Sequence, residues 1–70
     1  MKGLVHAKTL ILRRTRCSVL RLHRHEDGRF SIDVLGLLNK EWNPAHVFNA
    51  EADARKQFPL SVQRMGGVVK

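Results

Sequence analysis

The residue type with the clearest chemistry in this chain is arginine, and its distribution is one-sided. Residues 1–30 contain eight Lys or Arg against only Glu26 and Asp27, a formal charge of +6, whereas residues 31–70 carry a net charge of only +1. Cationic side chains gathered in one half of a chain create a field that attracts polyanions such as nucleic acid, acidic protein surfaces or anionic lipid. The pattern therefore predicts the charge of a partner and not a reaction.

The candidate contacts to nucleic acid or to an acidic partner lie in the first half of the chain. A cationic face of this kind binds phosphates in a salt-dependent way, because each neutralised phosphate releases counterions. The alternative is a solvated face that keeps a small protein soluble, although such faces usually mix their charges. The candidates are Lys8, Arg13, Arg14, Arg16, Arg21, His23, Arg24, His25 and Arg29.

Aromatic support for this surface is sparse. The chain has no Tyr, and Trp42 beside Lys40 is the one candidate for a contact aromatic; its alternative role is a lid over the sheet or a dimer contact. Proteins that bind single strands interleave stacking rings with cations. Signatures of RNA-recognition, zinc-finger and helix-turn-helix domains are absent from the sequence, so specific base readout is not predicted.

Cys17, His23 and His25 are the residues whose chemistry would fit a metal or a nucleophilic site. His23 and His25 project to one side of a strand, but Cys17 lies six residues before His23, about 20 Å if the chain is extended. The paired spacing of structural zinc modules is missing. Cys17 with a histidine also lacks an orienting acid and an oxyanion site. We therefore predict no metal, no cofactor and no catalysis, with the histidines as exposed groups that gain charge below about pH 6.5.

Size and composition limit the remaining possibilities. A chain of 70 residues makes one domain and buries only about 60% of the surface of its unfolded form, so a homodimer is a reasonable remedy for a thin core. A lone Cys17 fits a reducing, cytoplasmic setting. No apolar stretch is long enough to cross a bilayer. The acid-free beginning resembles a transit peptide in composition, but its removal would leave too little to fold.

Residues 19–34 predict a β-hairpin whose register follows from side-chain chemistry. A two-residue Asp27-Gly28 turn would pair Leu22 with Asp33. A three-residue turn over residues 26–28, with Gly28 in a left-handed conformation, instead places Leu20 and Leu22 opposite apolar residues. Because a slip of one residue moves every side chain to the other face, we expect the second register. Its predicted pairs are Leu20 with Val34, Arg21 with Asp33, Leu22 with Ile32 and Arg24 with Phe30.

The other elements are placed around this hairpin. Residues 9–13 predict a first strand, led in by residues 5–8, and a helix over residues 4–22 is the rival interpretation. Residues 35–44 predict a strand exit and a polar loop closed by Asn43-Pro44. Asn49 predicts an N-cap for a helix with an apolar stripe of Ala50, Ala54 and Phe58, ended by Pro59. Residues 60–64 then alternate as a last strand. Residues 66–70 predict a flexible tail, with a short edge strand over residues 68–70 as the alternative.

The predicted fold is thus a single α+β domain over residues 1–70, a small antiparallel sheet of three to four strands packed by one short helix in the order β-β-β-α-β. If Leu20 and Leu22 face the helix, then Arg21, His23 and His25 face away from it, and Arg13 joins them if the first strand pairs alongside. This arrangement predicts one cationic sheet face.

Two functions fit the sequence. The first is a non-enzymatic basic module that contacts nucleic acid through phosphates without reading sequence. The second is an inhibitor or adaptor that blocks an acidic surface of a host protein complex, since the size and layout are similar to those of small phage-encoded factors. An apolar patch of Leu37, Trp42 and Phe48 on the helix side would favour the second function. A membrane-surface role is not predicted, because the basic segment alternates like a strand.

Overall fold

The strand-forming segments come first in the chain and the helix comes last. The computed structural model describes residues 6–68, so the predicted lead-in at Val5 and the chain end at Val69 and Lys70 lie outside the described residues. The strands are β1 (Lys8–Arg14), β2 (Val19–Arg24), β3 (Phe30–Leu35) and β4 (Trp42–Phe48), and helix α1 (Glu51–Arg64) follows them. They form one antiparallel sheet in the order β1-β2-β3-β4. The predicted α+β class is confirmed, and the predicted order β-β-β-α-β is wrong.

The β2–β3 hairpin has the predicted register. All four expected pairs are present, including Arg21 opposite Asp33 and Leu22 opposite Ile32. The turn spans three residues, closed by a 2.8 Å hydrogen bond from the His25 N–H to the Arg29 carbonyl. Gly28 has φ +89°, a conformation that residues with a Cβ rarely adopt. Side-chain pairing and turn chemistry therefore agree on one register.

The fourth strand corrects the prediction of a polar loop over residues 39–44. Pro44 lies inside β4, opposite Asp33, where the register between β3 and β4 shifts. Proline has no N–H to contribute to a ladder, so it is tolerated at a bulge or in a strand that pairs on one side only. In the described part of the chain, β4 is such an edge strand. The Asn43-Pro44 signal marks an irregular edge and not the end of the sheet.

Helix α1 corrects the prediction for the C-terminal part of the chain. It continues through Pro59 to Arg64, so residues 60–64 are helical and not a strand. Pro59 cannot donate to the Arg55 carbonyl, and proline inside a helix costs about 3 kcal/mol. Burial of Phe58 and Val62 offsets this cost, because each side chain contributes about 1.5–3 kcal/mol when removed from water. Tertiary packing thus overrides the local stop signal.

The start of the helix also differs from the prediction. Ala50, not Asn49, occupies the N-cap position in an extended conformation, without a side-chain hydrogen bond to the helix. The acidic residues Glu51 and Asp53 lie in the first turn as expected, where the helix dipole favours negative charge. Because Ala50 is exposed, the buried stripe is shifted by one turn to Ala54, Phe58 and Val62.

The core lies between one face of the sheet and the helix. The sheet contributes Leu20, Leu22, Phe30 and Ile32, and the helix contributes its three-residue stripe. The helix packs against β2, β3 and β4, while no residue of β1 is fully buried. The helix therefore covers the sheet unevenly, and β1 is its least covered strand. Among the described residues, no helix has the length and hydropathy that a membrane crossing requires.

Candidate nucleic-acid interface

The predicted common cationic face of the sheet is not formed, because the arginine residues of β1 and β2 divide between both faces. Arg13 pairs with Leu20 across the β1–β2 ladder, and directly opposed residues share a face. Arg13 accordingly lies on the helix side, where it lines a cavity with Phe58 and Val62. The expectation that Arg13 would lie beside Arg21 is therefore wrong. Leu12 pairs with Arg21 instead.

Arg21 faces away from the helix, as predicted, but its charge is locally compensated. Its Nε donates to the Asp33 Oδ2 at 2.7 Å, and its Cζ lies 4.4 Å from the centroid of the Trp42 ring. Asp33 is only 3% exposed, although the helix lies on the opposite face. Trp42 thus acts as a cover over the Arg21–Asp33 pair.

A buried hydrogen-bond network continues from this ion pair. The Ser31 hydroxyl donates to the Asp33 Oδ1 at 2.6 Å, and the His25 Nε2 lies 2.7 Å from the Ser31 oxygen. The hydroxyl has one proton, which it gives to the carboxylate, so His25 must be the donor to Ser31. In this order His25 does not accept the Ser31 proton, and Ser31 is 0% exposed. The arrangement satisfies the hydrogen-bonding groups of Ser31 and Asp33.

His23 is adjacent to this network and contributes little charge at neutral pH. Its ring lies 5.0 Å from that of His25, in an edge-on arrangement. Partial burial lowers the pKa of His23, and the neighbouring Arg21 and His25 lower it further, while Asp33 opposes them. Desolvation disfavours the charged imidazolium. At a given pH, a polyanion contact would therefore gain less charge from His23 than from a histidine with the ordinary pKa.

Three further predicted cations lie at the end of the sheet that carries the β2–β3 turn. Arg29 is 3.6 Å from Asp27 within that turn. Lys8 pairs with Arg24 in the β1–β2 ladder, and Arg24 pairs with Phe30, so both lie on the helix side. The Arg24 Nε is buried without a partner in the described part of the chain. These cations do not join those at the other end of β1.

The opposite end of the sheet carries Arg13, Arg14 and Arg16, and the C-terminus of α1 with Arg64 lies against it. We call the end with these four residues the arginine end. The β1–β2 turn lies against the C-terminus of α1, where the Cys17 N–H donates to the Met65 carbonyl at 3.3 Å. Thr15 forms an antiparallel bridge with Val68. A Cβ at Gly66 would lie 3.0 Å from the Arg16 Cβ, so the two segments are in close contact.

The turn that carries Arg16 is held by internal hydrogen bonds. Thr15 is 5% exposed, and its hydroxyl donates to the Ser18 carbonyl at 2.6 Å while accepting from the Ser18 N–H at 2.9 Å. The Ser18 hydroxyl in turn donates to the Leu35 carbonyl of β3 at 2.6 Å. The backbone below Arg16 is thus fixed to two strands and to the helix.

Charge is polarised along the molecule. The segments that form the arginine end, residues 13–18 and 64–68, contain no acidic residue. Glu26 and Asp27 lie in the β2–β3 turn, and Glu51 and Asp53 lie in the first turn of α1, next to the far end of β4. Glu41 is the exception, because it lies in the β3–β4 loop at the same end of the sheet as the arginine end, directly before β4. Arg14 and Arg16 are exposed, and no ion pair involves them among the described residues. Such a distribution orients a polyanion toward one end.

Arg64 is the member of this group that the sequence analysis missed. The assignment of residues 60–64 to a strand separated it from the other arginine residues. The spacing of Ala54, Phe58 and Val62, four residues each, is the signal that would have carried the helix to Arg64.

The helix-side patch of Leu37, Trp42 and Phe48 that would favour an inhibitor or adaptor is not formed. Phe48 packs on the core under the helix, whereas Trp42 stacks on Arg21 on the opposite face. Leu37 lies in the β3–β4 loop, 71% exposed, and its neighbour Leu38 is 100% exposed. The Asn39 side chain lies where a Gly36 Cβ would be. The compact loop therefore presents two leucine side chains to solvent.

Cys17 is exposed in the β1–β2 turn, remote from His23 and His25 in the second half of β2. Within residues 6–68, no group of three or more His, Cys, Asp or Glu side chains is close enough to hold a metal ion. Comparison of the chain with protein-family models, with curated proteins and with solved structures gave no match. The arginine end is therefore the feature on which a functional argument has to rest.

Proposed function

We propose that this chain is a non-enzymatic binding module that contacts nucleic acid through phosphates, without reading its sequence, and that the arginine end makes the contact. The observation that carries the proposal is the convergence of Arg13, Arg14, Arg16 and Arg64 from a strand, a turn and a helix terminus. Guanidinium groups bind phosphate oxygens with charge-assisted, often bidentate hydrogen bonds. The fixed backbone of the turn reduces the entropy lost on binding.

The number of arginine residues sets the expected salt dependence. Four phosphate contacts on duplex DNA give a slope of log K against log salt of about −3.6, or a loss of affinity of about a hundredfold between 50 and 200 mM salt. Base specificity is not expected, since phosphate contacts carry no sequence information.

The test is a fluorescence anisotropy titration of labelled duplex DNA, single-stranded DNA and RNA at several salt concentrations. Each of the variants Arg14→Ala, Arg16→Ala and Arg64→Ala is expected to make the slope less negative by about one. Lys56→Ala and Arg29→Ala are matched controls, because each removes one positive charge away from the arginine end. Absence of binding at low salt, or equal effects of controls and variants, would contradict the proposal.

A second candidate function is that of an inhibitor or adaptor that binds an acidic protein surface. The specific observation in its favour is the exposed pair Leu37 and Leu38, followed by Lys40 with φ +59°. Contiguous exposed apolar side chains bordered by a cation are typical of protein contact sites. The discriminating measurement is a pull-down with and without nuclease, using the wild type and Leu38→Ser. A stoichiometric protein that survives nuclease and is lost with Leu38→Ser would favour this function.

A further inference from the structure

The two edges of the sheet differ in how they are closed. The β4 edge carries Pro44 and a register shift, features that discourage pairing with another strand. β1 contains no proline, and within residues 6–68 it pairs only with β2. The bridge between Thr15 and Val68 lies beyond its end. A register shift at Leu10 leaves residues 11–14 as a regular stretch of strand, and no other segment within residues 6–68 pairs with its outer edge.

This stretch borders an apolar groove. A cavity of about 440 Å³ lies between β1 and α1. It is lined by Ile11 and Arg13 from the strand, by Phe58, Pro59 and Val62 from the helix, and by Gly67 and Val68 from the segment that follows the helix. The helix does not reach over β1 as it does over the other strands. A side chain from an added strand would therefore find an apolar recess next to Ile11.

The backbone of β1 is also accessible from outside. The Arg13 Nη1 donates to the Leu12 carbonyl at 2.8 Å, so a side-chain donor already reaches this acceptor. On the face away from the helix, Leu12 is 54% exposed. An added strand thus has apolar neighbours on both faces at residues 11 and 12, followed by a cation on each face at residues 13 and 14.

We propose that the β1 edge, residues 11–14, binds an extended peptide segment of a protein partner by strand addition, with two apolar residues opposite Ile11 and Leu12 and two acidic residues opposite Arg13 and Arg14. Main-chain hydrogen bonds to the edge supply affinity in this mode, and alternate side chains supply specificity. Charge complementarity excludes a second copy of the chain as the occupant, since two β1 strands would bring four arginine residues onto one ribbon without an acid. The site goes beyond nucleic-acid binding, although it shares Arg13 and Arg14 with the arginine end.

The probe is a capped, fluorescein-labelled peptide of sequence SEDVIT, which pairs antiparallel with residues 11–14, and its control is SKKVIT. Anisotropy is expected to show binding of SEDVIT only. Arg13→Glu is expected to weaken SEDVIT about tenfold and to make SKKVIT bind, so that a charge swap rescues the interaction. Equal binding of both peptides to the wild type, or no binding of either, would overturn the proposal.

Strand addition is tested separately from charge attraction by N-methylation. Two versions of SEDVIT are methylated at alternate residues, offset by one, so that only one version loses the N–H groups that face β1. One version is expected to lose binding and the other to keep it. Loss or retention by both would contradict strand pairing, and a concentration-dependent dimer in sedimentation that the peptide does not dissociate would show that a second copy holds the edge. None of these readings depends on nucleic acid.

Discussion

Replacement of Asp33 by Ala tests whether the network under Trp42 holds the sheet together. The change removes the acceptor for both Arg21 and Ser31, whose hydrogen bonds to Asp33 measure 2.7 and 2.6 Å. Breaking a fully buried ion pair costs about 3–5 kcal/mol. The Arg21 side chain remains 21% exposed, so water recovers part of its solvation, and we expect Asp33→Ala to cost about 2–3 kcal/mol. That is a large part of the total of about 4–10 kcal/mol for a chain of this length.

The measurement is urea unfolding followed by far-UV circular dichroism and by the fluorescence of the single Trp42. The matched control is Glu51→Ala, which breaks the ion pair with Arg55, a contact of 2.5 Å between side chains that are 48% and 44% exposed. Its loss is expected to cost at most about 1 kcal/mol. Equal costs for the two variants would refute the reasoning, as would a double-mutant cycle of Arg21→Met and Asp33→Ala with no coupling energy.

Three further variants test other parts of the structure. His23 has its pKa lowered from 6.5, so below pH 6.5 the unfolded chain binds the proton better and stability falls as the pH decreases; His23→Gln is expected to flatten this fall in urea midpoints measured across pH. Pro59→Ala restores an N–H to the helix and is expected to stabilise it by about 1–2 kcal/mol in thermal unfolding, and a loss of stability would contradict this reasoning. Gly28→Ala has free space around its Cβ but φ +89°, so a loss of about 1–2 kcal/mol in the same assay is expected, and no loss would contradict the turn geometry.

The hairpin could be predicted from the sequence because several local signals agreed. Gly28 allowed only certain turns, and the apolar residues of both strands matched in one register alone. The placement of Arg21 opposite Asp33 followed from that register. Turn chemistry, charge pairing and apolar pairing all favour the same register of β2 with β3.

The errors came from residues whose local preference yields to tertiary context. Pro59 and Pro44 each signal a break, but packing of Phe58 and Val62 carries the helix past the first, and an edge position accommodates the second. The face of Arg13 depends on the length of the β1–β2 turn, residues 15–18, because that turn sets the pair of Arg13 with Leu20, and the sequence does not specify its length. The sequence predicted a cationic sheet face, whereas the candidate site lies at one end of the molecule. Its position depends on where α1 ends, because the helix end carries Arg64.

Helix α1 is synthesised after all four strands of the sheet. Consecutive hairpins can form as β1 to β4 leave the ribosome, since each strand pairs only with its neighbour in sequence. Of the seven apolar residues that are buried within residues 6–68, the three from the helix, Ala54, Phe58 and Val62, are synthesised only afterwards. Until then, Leu20, Leu22 and Ile32 stay in contact with water. A product that terminates before the helix therefore exposes apolar sheet surface, which makes it a substrate for chaperones and prone to aggregation.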